Sequence, residues 1–189
     1  MRAELLLAAA LVAGPARADE DAYPADITPP PGTQYQCALT ALPRALPGIP
    51  EADRAYVNRT YARILRATQA KLVVLKALED GRGVPGAVAR YQEATSAITD
   101  RVRAEPPPAG LEAFQDDVAS ALVLQQAFFR QSVAIRAHGS MADVYRIPEG
   151  RQASARLFAA WGRMSGRYPA WSAETRDSIY HHLCALDLF

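Results

Sequence analysis

The sequence predicts an all-α fold: an up-and-down bundle of four main helices, a further C-terminal helix, a Pro-rich N-terminal arm and one disulfide. Apolar residues return at three- and four-residue steps through several long stretches, the spacing that lines one side of an α-helix. Clusters of Pro and Gly separate those stretches. The chain has 189 residues and two cysteines, Cys37 ahead of the first stretch and Cys184 within the last.

Residues 1–18 read as a signal peptide. Arg2 supplies a positive charge, residues 5–13 an apolar core, and Ala16 and Ala18 the small side chains before a cut ahead of Asp19. The core is shorter than the roughly 20 apolar residues that span a bilayer. The expectation is export, periplasmic or secreted, with no transmembrane anchor after cleavage. Asp19 in place of Cys at the new N-terminus argues against lipid attachment.

Residues 19–50 form the arm, rich in Pro and small residues, with Pro29, Pro30 and Pro31 in a row. A turn or two of helix is expected at 36–42, after which Pro43, Pro47 and Pro50 forbid anything longer. Residues 51–189 are the bundle. The first helix is expected over 51–80, opened by Glu51 and Asp53 and stopped by Gly81, Gly83 and Pro85. Its stripe is Val57, Tyr61, Ile64, Thr68, Leu72, Leu75 and Leu78. The second starts at Pro85 and runs to about residue 104. Its Val84, Val88, Tyr91, Thr95, Ile98 and Val102 alternate steps of four and three, as an antiparallel bundle requires.

The third helix, residues 111–138, runs 28 residues without Gly or Pro. Its stripe passes through Phe114, Val118, Leu122 and Phe128/Phe129, and its length makes it the central member. A short helix over 140–146 is cut off by Pro148 and Gly150. A fourth main helix is expected over 151–165, and Ser172 caps the last, whose buried face is Ile179, Tyr180, Leu183 and Cys184.

After removal of residues 1–18 the chain carries 19 basic and 19 acidic residues. Formal neutrality argues against a nucleic-acid partner recognised by bulk charge. An isolated cysteine pair in an exported chain points to a disulfide. The competing reading is a metal site of Cys37, Cys184 and His181, one ligand short of a closed zinc site. Thr68, Thr95 and Gln125 fall at the midpoints of three stripes, predicting a polar layer inside the core that sets helix register or lines a small-ligand pocket. Lys71 and Lys76, the only lysines, flank the first stripe and read as a solvated edge. His138 suits the C-terminal dipole of the third helix. His181 and His182 diverge by about 100° on a helix and cannot share one ion.

No C-x-x-C-H is present, so haem would need an axial pair such as Met141 or Met164 with His181 or His182. No G-x-S-x-G, H-E-x-x-H or Gly-rich phosphate loop occurs. The function expected is therefore a structural or protein-interaction role in the cell envelope, with an unidentified protein as partner and no cofactor. The alternative is a small-ligand, metal or haem binder that uses the bundle interior.

Overall fold

The computed structural model describes Cys37, Leu42 and residues 45–188; the expected signal peptide, most of the expected arm and nearly all of the turn expected at 36–42 lie outside the described residues. Six helices and no strand occur among the described residues: α1 (Glu51–Asp80), α2 (Val84–Ala104), α3 (Glu112–His138), α4 (Met141–Val144), α5 (Pro148–Arg167) and α6 (Ala173–Leu186). α1 closes on Gly81 at φ 66°, a left-handed conformation that costs glycine nothing, and the Gly81 and Arg82 N–H groups cap the last carbonyls of the helix. Ser140 and Asp143 form a reciprocal capping box on α4. Ser172 caps α6 by accepting from the Thr175 N–H.

α5 begins at Pro148, three residues ahead of the expected start. Pro148 does not merely cut off α4. It occupies the first turn of α5, where a missing N–H costs no hydrogen bond.

The helices close into a ring. α1 packs on α2, α2 on α3, α3 on α5, α5 on α6, and α6 returns to α1. α3 also touches α4. The Cys37–Cys184 disulfide, 147 residues apart in sequence, fastens the described end of the arm to α6. Downstream of it, Leu42, Leu46 and Ile49 are buried in the core. Leu46 takes φ 40°, and Gly48, at φ 89°, lies so close to the α5–α6 turn that a Cβ there would sit 2.1 Å from Trp171 Cα.

Two apolar clusters make up the core. The lower joins Tyr56, Tyr61 and Ile64 of α1 to Ile98 and Val102 of α2, Phe114 to Leu122 of α3, Met164 of α5 and Ile179 of α6. The upper joins Val74 and Leu78 to Val84, Val88 and Tyr91, then to Phe128, Phe129, Val144 and Ile147. Each fully buried side chain of this size contributes roughly 1.5 to 3 kcal/mol by leaving water. Thr68, Lys71, Thr95, Gln125 and Gln126 fall between the two clusters in the sequence of their helices, and all five are buried.

Ring closure buries α1 on more than its predicted stripe: residues 60–65 are buried without a break. Among them is Arg63, whose guanidinium pairs with Glu105 at the far end of α2. In α6 the buried set is Thr175, Ile179, His182, Leu183, Ala185 and Leu186. Tyr180, expected inside, is 47% exposed, and Cys184 is half-buried. The face is turned because α6 wedges between α5 and α1, so His182 packs edge-on against the Tyr61 ring.

Candidate functional site

The buried polar groups are short side chains folded back on their own helices and three long ones, Lys71, Gln125 and Gln126, that cross between helices. Thr68 Oγ1 donates to the Ile64 carbonyl at 3.0 Å and Thr95 Oγ1 to the Tyr91 carbonyl at 2.7 Å, the i−4 bonds that let a threonine sit inside a helix. Gln125 does the crossing. Its Oε1 accepts from the Tyr91 hydroxyl at 2.8 Å and its Nε2 donates to the Leu186 carbonyl at 2.7 Å. Gln126 Nε2 donates to Thr95 Oγ1 at 3.0 Å. Burial raises the Tyr91 phenol well above its ordinary pKa, which keeps it a neutral donor.

Lys71 is the correction to the sequence reading. It is 1% exposed, not a solvated flank, and its Nζ donates to the carbonyls of Ala185, at 2.7 Å, and Asp187. These carbonyls lie at the C-terminal end of α6, where the helix dipole favours a donor or a cation. Burial lowers the ammonium pKa to about 7, with the Asp187 carboxylate pulling it partly back. Lys76, by contrast, stays at the surface and pairs with Asp80. Lys71 and Gln125 thus act alike: each emerges from the ring interior and holds the backbone of residues 185–187.

A second polar arrangement braces the outside. Asp117, nearly buried on α3, pairs with Arg156 and Arg163 of α5. Asp53 accepts from the Tyr168 hydroxyl at 2.8 Å, and burial with the nearby carboxylate raises that phenol's pKa. These carboxylates tie α3 to α5 and the start of α1 to the end of α5.

Thr68, Thr95 and Gln125 line none of the four clefts described, which open on the outer surface. One, of 520 Å³, runs between α1 and α2 beside Val73, Ala97 and Ile98. Another, of 190 Å³, lies at the α1–α2 turn. Two adjoin along α5 and α6: one of 140 Å³ walled by Leu157, Phe158, Trp161, Tyr180 and Cys184, and one of 450 Å³ reached past Tyr145 and Arg151, with Ser154 and Asp187 shared by both.

The exposed aromatics gather there. Phe158 is 75% exposed, and Tyr145 and Tyr180 are each 47% exposed. Trp161 is held by stacking on Trp171 at 5.4 Å and by the edge of Tyr180, also at 5.4 Å. Trp161, Tyr168 and Trp171 lie within eleven residues of one another around the α5–α6 turn, and Tyr180 joins them through the turned face of α6, with Phe158 on the same cleft wall. The signal for them was present: 158 and 161 are one turn apart, and 180 follows the cap at Ser172 by two turns.

His138 is exposed in the last turn of α3. His182 is buried with Nδ1 2.7 Å from the Ser178 carbonyl. Cys37 and Cys184 are joined to each other, which removes both from the metal set considered above. Met164 lies in the lower cluster and Met141 against the upper one. No group of three or more His, Cys, Asp or Glu able to hold a metal ion occurs among the described residues, and no helix there is long and apolar enough to cross a membrane. Compared with models of protein families, with curated proteins and with solved structures, the chain shows no match.

Proposed function

We propose that this is an exported protein of the cell envelope that works by contact with another protein, through the aromatic face of α5 and α6. The observation that carries the reading is the concentration of exposed Phe158 and Tyr180 around Trp161, which stacks on Trp171, with exposed Tyr145 lining the adjoining cleft. A large apolar side chain left three-quarters in water contributes nothing to folding, whereas aromatic clusters rimmed by polar groups are where protein contacts gain most of their energy. Arg151, Ser154 and Asp187 supply the polar rim.

The interior supports the alternative, a small-ligand site at Thr68, Thr95 and Gln125, less well, because the threonines bond their own helices and Gln125 is engaged with Tyr91 and with α6. The test is a photocrosslinking residue at position 158 in the producing cell, with exposed Glu93 on α2 as the control position. A discrete adduct at 158 that Tyr180→Asp abolishes is expected. The same adducts at both positions, or none, overturn the reading.

A further inference from the structure

We propose that the 140 Å³ cleft between α5 and α6 takes a basic side chain of the protein partner, a lysine or an arginine, with its apolar stem along the aromatic wall and its charged head at Asp187. The inference rests on the reading of this face as an interaction surface and names the chemistry that the surface meets.

Charge is the first argument. Ser154 of α5 donates to Asp187 Oδ1, so the carboxylate is held against α5 and walls one end of the cleft. Asp187 is the only charged group among the described residues that line it. The Leu188 N–H also donates to Oδ1, at 2.6 Å, and with both bonds on that oxygen Oδ2 can accept from an incoming donor. The carbonyl end of α6 lies at the same place and adds the negative pole of a helix dipole. Two cations stand nearby, and neither walls the cleft. Lys71 bonds the Asp187 backbone from the core and is 1% exposed, while Arg151, one turn before Ser154, lines the adjoining cleft.

Shape agrees. Ser154 meets Asp187 at one end of the slot and Trp161 meets Tyr180 at the other. Seven residues of α5 separate those ends, about 10 Å along the helix. The Trp161 and Tyr180 rings, 5.4 Å apart and inclined at 71° to one another, make an apolar corner, and Leu157 and Leu183 line the stretch between. The slot is thus apolar for most of its length and anionic at one end. A lysine or an arginine is divided in the same way, with methylene groups that gain by covering apolar surface and a head that keeps its charge. A volume of 140 Å³ has room for one side chain and falls below the roughly 300 to 1,000 Å³ of a pocket for a free small molecule, so the cation arrives on a protein. Exposed Phe158, on the same wall, supplies the collar that keeps water from the pair once the partner is seated.

The probes are N-acetyl-lysinamide, N-acetyl-argininamide and, as the neutral counterpart of the first, N-acetyl-norleucinamide. They are titrated into disulfide-intact protein exported from the full-length sequence, while the Trp161 indole N–H is followed in nitrogen–proton correlation spectra. Both basic probes are expected to shift that resonance saturably, with Kd in the low millimolar range open to ligands of this size. Norleucinamide binds about fivefold more weakly, the upper end of what a part-exposed ion pair contributes. Asp187→Asn weakens the basic probes by the same factor and leaves the neutral one unchanged, and salt at about 0.5 M weakens only the basic ones. Where Asp187→Asn alters far-UV dichroism, the salt series and the norleucinamide comparison on wild type decide alone.

Equal binding of lysinamide and norleucinamide, binding indifferent to salt, or no saturable shift at Trp161 overturns the proposal. In the producing cell the adduct at position 158 is expected to fall about fivefold in Asp187→Asn. An undiminished adduct overturns the basic side chain and leaves the interaction reading standing. Saturable binding of the basic probes without any adduct at 158 overturns both and places a free organic cation in the cleft.

Discussion

Replacing Lys71 with Met tests the buried amine through the pH dependence of stability. The native pKa is about 7 against 10.5 for the ordinary lysine of the unfolded chain. Between those values the unfolded state binds more protons than the folded one, so stability rises with pH. At pH 7 the folded amine is half charged and at pH 9 almost wholly neutral, while the unfolded one stays charged. At about 1.4 kcal/mol per unit, the linkage gives a gain of about 2 kcal/mol from pH 7 to pH 9 from this group alone. Below about pH 6 both states hold the proton and the contribution is flat. Lys71→Met has no proton to release. It also leaves the Ala185 and Asp187 carbonyls without their donor, a loss of roughly 1 to 3 kcal/mol. Urea unfolding followed by far-UV dichroism at pH 6, 7, 8 and 9 in non-reducing buffer should show the stability of wild type relative to the variant rising by about 2 kcal/mol between pH 7 and 9. Parallel curves would refute the argument, because they would mean that the buried amine does not release its proton in this range.

The tyrosines set the opposite limb. Tyr56 is pushed up to about 12 by burial, and Tyr91 and Tyr168 are raised as well, so stability present below pH 10 is lost as pH climbs through the folded values; phenolate absorbance at 295 nm should show these rings ionising together with unfolding. Gln125→Leu orphans both the Tyr91 hydroxyl and the Leu186 carbonyl and should cost about 2 to 4 kcal/mol, part of it recovered by adding Tyr91→Phe in a double-mutant cycle. Gly48→Ala forces backbone apart at Trp171 and should lower the melting temperature and alter near-UV dichroism, at about 1 to 3 kcal/mol. Replacing Cys37 and Cys184 by Ser should lower stability by up to about 5 kcal/mol, measured against the oxidised parent in urea.

The helices were legible because Pro and Gly punctuate them: Gly81 and Gly83 fix the first turn, and the bounds of α1 match those read from the sequence. The misreadings share one cause. Stripe analysis assigns each helix one inward face, whereas a closed ring gives α1 neighbours on two sides. Lys71 lies off the stripe that meets α2 and on the side that meets α6, so it looked solvated and is not. In α6 a pattern of Ile179, Tyr180, His181, His182, Leu183 and Cys184 offers two overlapping faces, and counting histidine as polar selects the wrong one. Thr68, Thr95 and Gln125 stand out in the sequence as polar residues on apolar stripes, and all three are buried. That Gln125 and Lys71 both reach the end of α6 could not be read there, because it depends on which gap the last helix fills.

The arrangement has a bearing on how the chain avoids stopping short. α1, α2, α3 and α5 could associate by themselves as an ordinary four-membered bundle. In that arrangement the Lys71 amine and the Gln125 Nε2 would lack the acceptors they find at residues 185–187, a loss of roughly 0.5 to 1.5 kcal/mol for each hydrogen bond. The half-finished assembly is thereby made less favourable, and residues 185–187, 61 to 116 positions further along the chain, are the acceptors that relieve it. Seating the last helix therefore satisfies donors on two other helices, α1 and α3, at once.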